Sequence, residues 1–346
     1  MKEARCHAKT SSKAEVMPEV ERRGTLRRRF EATVMDQALL EGEDVKAVVI
    51  DEFGAPDVLH VVDRELPEPG TGQVRLRVRA AGVNPLDGKI RSGAAQQMFP
   101  TRLPAVLGLE IAGTVDAVGP GVDGLAAGDD VLGFADGGGY AEYALATTVA
   151  PKPEGLEWAA AAALPVAAET ALRVLGLLEV ARGDTVLIHG AAGAVGTVAV
   201  QIATARGATV IGTASEANHD YLRELGATPV LYGDGLVGHV RAVAPGGEID
   251  AVFDAAGQGA LPDSIELRGG TSRIVTIADP AAFGLGVTFS GEAARDAEAL
   301  AEVARQAADG RLRVTVAETH PLEEAPAAHV TVDTGHGRGK IVLLVN

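Results

Sequence analysis

Residues 189–196 read His-Gly-Ala-Ala-Gly-Ala-Val-Gly. Small residues at that spacing let a backbone turn sharply and come close to a charged group, as a dinucleotide's diphosphate requires. Gly190 permits the tight turn. Ala191, Ala192 and Gly193 keep the approach open, and Gly196 lets the next helix lie close to the preceding strand. Ala194 and Val195 complete the turn, and the helix that follows offers free N–H groups and a partial positive charge that suit the phosphates. The first glycine is displaced from the usual Gly-x-Gly-x-x-Gly pattern, so a tight strand-to-helix turn of some other α/β protein is the competing reading.

Cofactor choice is read at the tip of the following strand, where an acid would bond the ribose 2′-OH of NAD. Here Thr209–Thr213 runs into Ala214 and Ser215 with no carboxylate. A missing acid removes repulsion against a 2′-phosphate and points to NADPH. Ser215, Asn218 and Tyr232 are candidates to hydrogen-bond that phosphate, and Arg338 is the candidate cation from a distant segment. Ser215 and Asn218 also suit capping of the next helix, and both roles are compatible.

These residues need a scaffold. At 346 residues with 47% hydrophobic content, the chain has material for two domains with sizeable cores. Aromatics are only 3%, so packing rests on aliphatic side chains and close backbone approach. Residues 46–150 read as an irregular, mostly β domain. Lys46–Asp51 and Leu59–Glu65 read as strands, Gln73–Ala81 alternates strictly with period two, and Ile111–Val118 and Val131–Phe134 are further short strands. A helical run at Trp158–Leu164 meets Pro165, and a second helix is read at Glu169–Leu178. From Asp184 short apolar strands alternate with helices: Thr185–His189, Thr197–Arg206, Thr209–Thr213, Asn218–Leu225, Pro229–Tyr232, Leu236–Val243, Ala251–Asp254 and Arg273–Ile277. That rhythm predicts a doubly wound parallel sheet. Ala293–Ala308 reads as an amphipathic helix and Lys340–Val345 as a closing strand.

Net charge is −16, which argues against general nucleic-acid binding. Cys6 is the sole cysteine, so an internal disulfide is excluded and a cysteine-based zinc site nearly so. No apolar run reaches membrane-span length. Segment 1–34 is basic, with Arg22, Arg23, Arg27, Arg28 and Arg29, and lacks the apolar core of a secretory signal. A disordered extension or a start placed too far upstream is the reading for residues 1–44, with a transit peptide as the alternative. The expected location is the cytoplasm.

The order of motifs resembles the medium-chain dehydrogenase/reductase superfamily over nearly all of residues 46–346. The motifs are Ala81–Pro85 (AGVNP), Gly108-Leu109-Glu110, Gly128–Val131, Gly139–Tyr143 (GYAEY), the glycine turn, Leu225-Gly226-Ala227 and Gly339–Leu343 (GKIVL). Asn84–Lys89 and Leu164–Thr170 are similar to the zinc-free quinone oxidoreductase and alkenal/enone oxidoreductase branch. Ala194 departs from that branch, which has glycine there. The resemblance implies an α/β protein with a GroES-like β domain (46–160 and 292–346) and a Rossmann dinucleotide-binding domain (161–291). It places the active site between them and subunit pairing at Val287–Ser290, hence a homodimer. Zinc-dependent relatives hold the metal with a Cys near the Asn84 position and a His at the Leu109 position. Neither Asn nor Leu replaces those ligands, so no metal is expected.

Metal-free hydride delivery to an enone, alkenal or quinone leaves negative charge on the substrate oxygen, and something must stabilise it. The candidates are Lys89, a ribose hydroxyl of the cofactor and backbone N–H groups; only Lys89, Lys152 and Lys340 lie beyond residue 46. Lys89 matches the alkenal-reductase lysine, which implies contact with the cofactor's reacting end; a surface lysine after a turn is the alternative. The resemblance also puts Asn84, Thr170 and Ile277 near the nicotinamide; Ala256 ends a strand at the sheet's carboxyl edge, where nucleotides bind, and Lys340 is a further expected cofactor contact. Turn chemistry before Pro85 and helix capping are the plainer roles of Asn84 and Thr170. Tyr140 either lines the cleft or packs the β domain. Asp87 and Glu110 read as structural hydrogen-bond partners, and His189 as a satisfied buried histidine. His320, His329 and His336 lack metal-like spacing, and no dedicated proton donor is evident. The expected activity is an NADPH-dependent reductase of a small electrophile. A secondary-metabolite tailoring reductase and a non-catalytic NADPH-binding protein are the alternatives.

Overall fold

A computed structural model describes residues 44–291, 295–335 and 337–346. Within it, Val45–Asn346 makes one compact unit. The first part is β: β1 (Asp44–Ile50), β2 (His60–Glu65), β3 (Val74–Val83), β4 (Ala105–Val106), β5 (Glu110–Val118), β6 (Asp130–Phe134), β7 (Tyr143–Ala146) and β8 (Val149–Pro151). The alternation in β3 buries Val74, Leu76 and Val78 and exposes Arg77. β3 lies antiparallel to β5 and β7.

The nucleotide lobe holds β9 (Thr185–His189), β10 (Thr209–Thr213), β11 (Ala227–Val230), β12 (Ala251–Asp254), β13 (Ile274–Thr276) and β14 (Thr288–Phe289). All pair in parallel, in the order β11-β10-β9-β12-β13-β14. Strand order reverses between β9 and β12, and ligands of such sheets bind outside the carboxyl edge at that reversal. The chain then returns to the β lobe through β15 (Val316–Pro321) and β16 (Lys340–Leu344), and β16 lies antiparallel to β3.

Helices α1 (Pro85–Arg91), α2 (Trp158–Ala162), α3 (Pro165–Leu177), α4 (Ala194–Ala205), α5 (His219–Glu224), α6 (Leu236–Val243), α7 (Leu261–Arg268), α8 (Ala282–Leu285), α9 (Ala297–Ala308) and α10 (Ala325–Asp333) complete the described fold. Several boundaries differ from the sequence reading: α4 begins at Ala194 instead of Thr197, β11 spans Ala227–Val230 instead of Pro229–Tyr232, and two further shifts have a clear local cause. α3 begins at Pro165, not Glu169, because the first helical turn needs no N–H and proline presets its φ. α9 begins at Ala297, where the Asp296 side chain accepts from the N–H groups of Glu298 and Ala299. Residues 292–294, the expected start, lie outside the described residues. β15 and α10 escape pattern reading because most of β15 is exposed and α10 buries only Ala325, Ala328 and His329.

Alanines make the two lobes continuous. One core cluster joins Ala80, Ala112 and Leu132 of the β lobe to Ala161, Ala167, Ala171, Ala199 and Phe253. Small side chains let α2 and α3 lie close against β3 and β5. Among the described residues no helix is long and apolar enough to cross a membrane.

Candidate active site

The glycine turn joins β9 to α4 at the carboxyl edge of the parallel sheet. Gly190 has φ +68°, a region that L side chains disfavour, and a Cβ there would stand 3.3 Å from Ala256 Cβ. A Cβ on Gly196 would overlap the Gly190 carbonyl and sit 2.7 Å from Ala191 Cα. Gly193 caps α4, leaving the N–H groups of Ala194, Val195 and Gly196 without intrahelical acceptors. These features fit a diphosphate cradle. The C-terminal segment crosses the same turn: Gly339 N–H donates to the Ala192 carbonyl at 3.2 Å.

The neighbouring strand ends are fixed by side chains. Asp254 Oδ1 accepts from Ala256 and Gly257 N–H, both at 3.0 Å, and its Oδ2 accepts from Thr276 Oγ1 at 2.8 Å. Ile277 follows at the tip of β13 and packs against the main core cluster. His189 is buried, with its ring nitrogens 3.3 Å from Thr213 Oγ1 and 3.0 Å from Ser264 Oγ. Burial holds its pKa below the ordinary histidine value.

At the tip of β10, Asn218 Nδ2 donates to Ser215 Oγ at 3.2 Å, and Tyr232 is half exposed. Arg338 reaches this region from the far end of the chain. Its guanidinium lies 5.1 Å from the centre of the Tyr221 ring, and that of Arg313 lies 5.8 Å from it. Tyr221 Oη is held at 3.0 Å from Thr197 Oγ1 and 2.9 Å from Thr315 Oγ1. The Arg313–Tyr221 part of this arrangement has no local sequence signal.

On the β-lobe side, Asn84, Glu110 and Lys340 form a buried polar cluster, each at most 4% exposed. Lys340 Nζ pairs with Glu110 Oε1 and donates to Asn84 Oδ1. Asn84 Nδ2 donates to Glu110 Oε1 at 2.9 Å, and Glu110 Oε2 accepts from Val166 N–H of α3 at 2.8 Å. Gly82 makes the room: a Cβ there would overlap the Glu110 carboxylate and lie 2.8 Å from the Ala162 carbonyl. Lys340 was expected among cofactor contacts. Its backbone adjoins the glycine turn through Gly339, but its ammonium is taken up by this cluster. A lysine and a glutamate, each opening a largely apolar strand, were the available signal.

The other expected residues separate. Lys89 is exposed on α1 and, among the described residues, its ammonium makes no hydrogen bond or ion pair. Thr170 is buried on α3, and its Oγ1 donates to Glu169 Oε2 at 3.2 Å. Glu169 also pairs with Arg173, which bonds Ser290. A cleft of about 190 Å³ runs along α3, lined by Phe134, Ala168, Leu172, Arg173 and Leu300 among others.

Of the two places expected for Tyr140, the structure gives the core: it is 0% exposed and packs in the β lobe. Its Oη lies 3.3 Å from His329 Nε2, His329 Nδ1 lies 2.9 Å from Arg91, and Arg91 pairs with Asp333 at 2.7 Å. Burial pushes the His329 pKa down to about 4, assisted by Arg91, and pushes Asp87 up to about 6. Asp87 accepts from the N–H of Asn84 at 2.8 Å and of Gly108 at 3.3 Å, tying the start of α1 to the loop before β5. His336 lies outside the described residues.

Where zinc ligands would stand, Asn84 is engaged by Lys340 and Glu110, and position 109 is leucine. Among the described residues, no group of three His, Cys, Asp or Glu side chains is placed to hold a metal.

Residues 70–154 match the family model described as alcohol dehydrogenase GroES-like domain, and residues 225–343 match that described as zinc-binding dehydrogenase. The chain is 32% identical to quinone oxidoreductase of Mus musculus over 87% of its own length and 98% of the mouse protein. The quinone oxidoreductase structure from Coxiella burnetii superposes with a TM-score of 0.80 at 35% identity, covering 88% of this chain and all of that one. A mycobacterial protein, Rv1454c, solved as a complex with NADPH, superposes with a TM-score of 0.76 at 31% identity over 87% of this chain and 99% of its own.

Proposed function

Because the chain belongs to the medium-chain dehydrogenase/reductase family, in its zinc-free quinone oxidoreductase branch, and is an NAD(P)-dependent oxidoreductase acting on a small molecule, we propose that it uses NADPH to reduce quinones or the activated C=C bond of enones and alkenals. The observation that carries this reading is a turn that admits no side chain at Gly196, opening α4 beside a polar cluster of Asn84, Glu110 and Lys340 that is not a metal-ligand set. Bound at the turn, NADPH supplies the hydride.

The chain's own residues do the rest. Gly190–Gly196 receive the diphosphate on backbone N–H groups. The tip of β10 offers no acid against a 2′-phosphate, and Ser215, Asn218, Tyr232 and Arg338 are the groups that hold it. That Arg338 approaches Tyr221, on the helix that Asn218 caps, supports this assignment. Ala256 and Ile277 border the nicotinamide end, with Thr170 facing it. Asn84 stands near the nicotinamide, and a ribose hydroxyl of the cofactor, backbone N–H groups or Lys89 meet the negative charge that develops on the substrate oxygen. Lys89 is exposed and is the weakest member of the proposed set. The α-carbon takes its proton from water. A second copy of the chain pairs along β14, where Phe283 is 68% exposed and stacks on Phe289.

The test is NADPH oxidation against a panel of quinones, alkenals and cyclic enones, run with and without a chelator. Turnover that survives chelation, with NADH a poorer donor, is the expected result. Loss of activity on chelation would overturn the metal-free reading, and stoichiometric NADPH binding without turnover on any acceptor would overturn the reductase reading.

A further inference from the structure

We propose that Tyr221 is a positioning residue for cofactor choice: its ring seats the Arg338 guanidinium, so that this cation stands in place for the 2′-phosphate of NADPH before the cofactor arrives. The inference rests on the reading of Arg338 given above and names the side chain that acts behind it.

An exposed arginine samples many rotamers, and fixing it on a ligand costs entropy that weakens binding. Arg338 is exposed and stands between Gly337 and Gly339, so its neighbours restrain it little. The restraint comes from Tyr221. The guanidinium lies 5.1 Å from the ring centre, close enough for the ring's negative face to attract it. The ring itself is fixed. Tyr221 is 6% exposed, and its Oη is bonded to Thr197 Oγ1 and Thr315 Oγ1. Thr197 lies on α4, which the glycine turn opens, so the ring is placed relative to the diphosphate cradle. Thr315 also holds the backbone beside Arg338. Its carbonyl accepts from Lys340 N–H at 2.8 Å, and a Cβ on Gly339 would overlap that carbonyl. One residue therefore fixes both the ring and the segment that carries the cation.

Two guanidinium groups share this ring, and they differ in what else they hold. Arg313, 5.8 Å from the ring centre, pairs with Glu224 at 2.8 Å. Arg338 has no carboxylate partner among the described residues, so its charge is open to an incoming anion. The chain's net charge of −16 repels a phosphate at long range, so acceptance depends on a cation held locally. Ser215 and Asn218 are neutral and can bond a ribose hydroxyl as well as a phosphate. The guanidinium is the group that separates the two cofactors by charge.

Calorimetric titration with adenosine 2′,5′-bisphosphate and with 5′-AMP reads the 2′-phosphate without turnover. The ratio of their dissociation constants is the preference, and the parent protein should favour the bisphosphate. Tyr221→Leu removes the ring and should lower that preference about fivefold. The same loss should appear in KM for NADPH relative to KM for NADH, with kcat on NADPH within twofold of the parent. Tyr221→Phe keeps the ring and should keep the preference within twofold. A Leu variant within twofold of the parent overturns the seat. So does a Phe variant as impaired as the Leu variant.

The two readings fail separately. If the parent shows no preference, or Arg338→Ala leaves it intact, Arg338 is not the 2′-phosphate ligand and this inference falls with that reading. If Arg338→Ala abolishes the preference and Tyr221→Leu does not lower it, only the seat fails. If Tyr221→Leu does not fold, the proton spectrum of the parent decides. The Arg338 δ-methylene protons, assigned by comparison with Arg338→Lys, should lie upfield of their ordinary position because the ring shields them. Ordinary shifts there overturn the seat.

Discussion

The glycine turn and the Asn84–Glu110–Lys340 cluster lie on either side of one seam, yet they are made in opposite ways. The turn is eight consecutive residues, its donors are backbone N–H groups, and its requirement is steric: no side chain fits at Gly196. The cluster draws on positions 84, 110 and 340, its donors and acceptors are side chains, and its requirement is that charges be matched out of water. A local device tolerates no added volume. A long-range device is limited also by charge, since it tolerates none unpaired.

Four outcomes test that contrast, the largest first. Gly196→Val should abolish NADPH binding, by at least a hundredfold in fluorescence titration, and cost about 2–3 kcal/mol in urea unfolding through overpacking. Binding retained within tenfold would mean that the turn is not the cradle.

The β lobe should show its buried polar chemistry through pH. His329 has a folded pKa of about 4 against 6.5 for the ordinary residue. The unfolded chain therefore takes the proton first, and stability is lost as pH falls from about 6.5 to about 4. His329→Gln removes that loss. Its deficit relative to the parent at pH 7 should shrink by about 3 kcal/mol by pH 4. Asp87 works the other way, since its raised pKa favours the folded state as pH falls below about 6. It is present in both proteins and cancels in the difference. A deficit constant across this range would show that His329 is not held neutral.

Arg338→Ala should raise KM for NADPH about tenfold, roughly 1.4 kcal/mol, and leave KM for NADH unchanged. Equal effects on both would remove Arg338 from 2′-phosphate recognition and leave it a packing partner of Tyr221. The smallest expected effect is Gly176→Ala, at an exposed position of α3 where a Cβ meets nothing within 4 Å. A gain of about 0.5–1 kcal/mol in thermal or urea unfolding, with unchanged kinetics, would show that glycine is strictly required only where space forbids a Cβ.

Legibility followed the same division. The sheet could be read because each β-α step is local: β9 is five buried residues, followed at once by the turn and by α4. Arg338 was named from its type and the missing acid at β10, and the fold brings it over Tyr221. Tyr140 was ambiguous because an aromatic in a glycine-rich stretch suits a cleft wall as well as a core. Its partners, Asp87 and His329, come from opposite ends of the lobe, and its burial emerges only when they meet. Lys89 was expected at the cofactor's reacting end and Lys340 among the cofactor contacts. One ends exposed on a short helix, the other buried against Glu110.

What the amino-acid order determined by itself was the pattern of short apolar strands and helices, the glycine turn that no side chain could replace, and the lack of thiolate and imidazole at the two positions that hold zinc in relatives. Those properties depend on neighbouring residues or on residue type. Only the tertiary structure decided which lysine is buried, which amide orientation Asn84 adopts and that Tyr140 belongs to the core. Each of these depends on charges and hydrogen-bond partners brought together from distant parts of the chain, and local sequence does not encode those meetings.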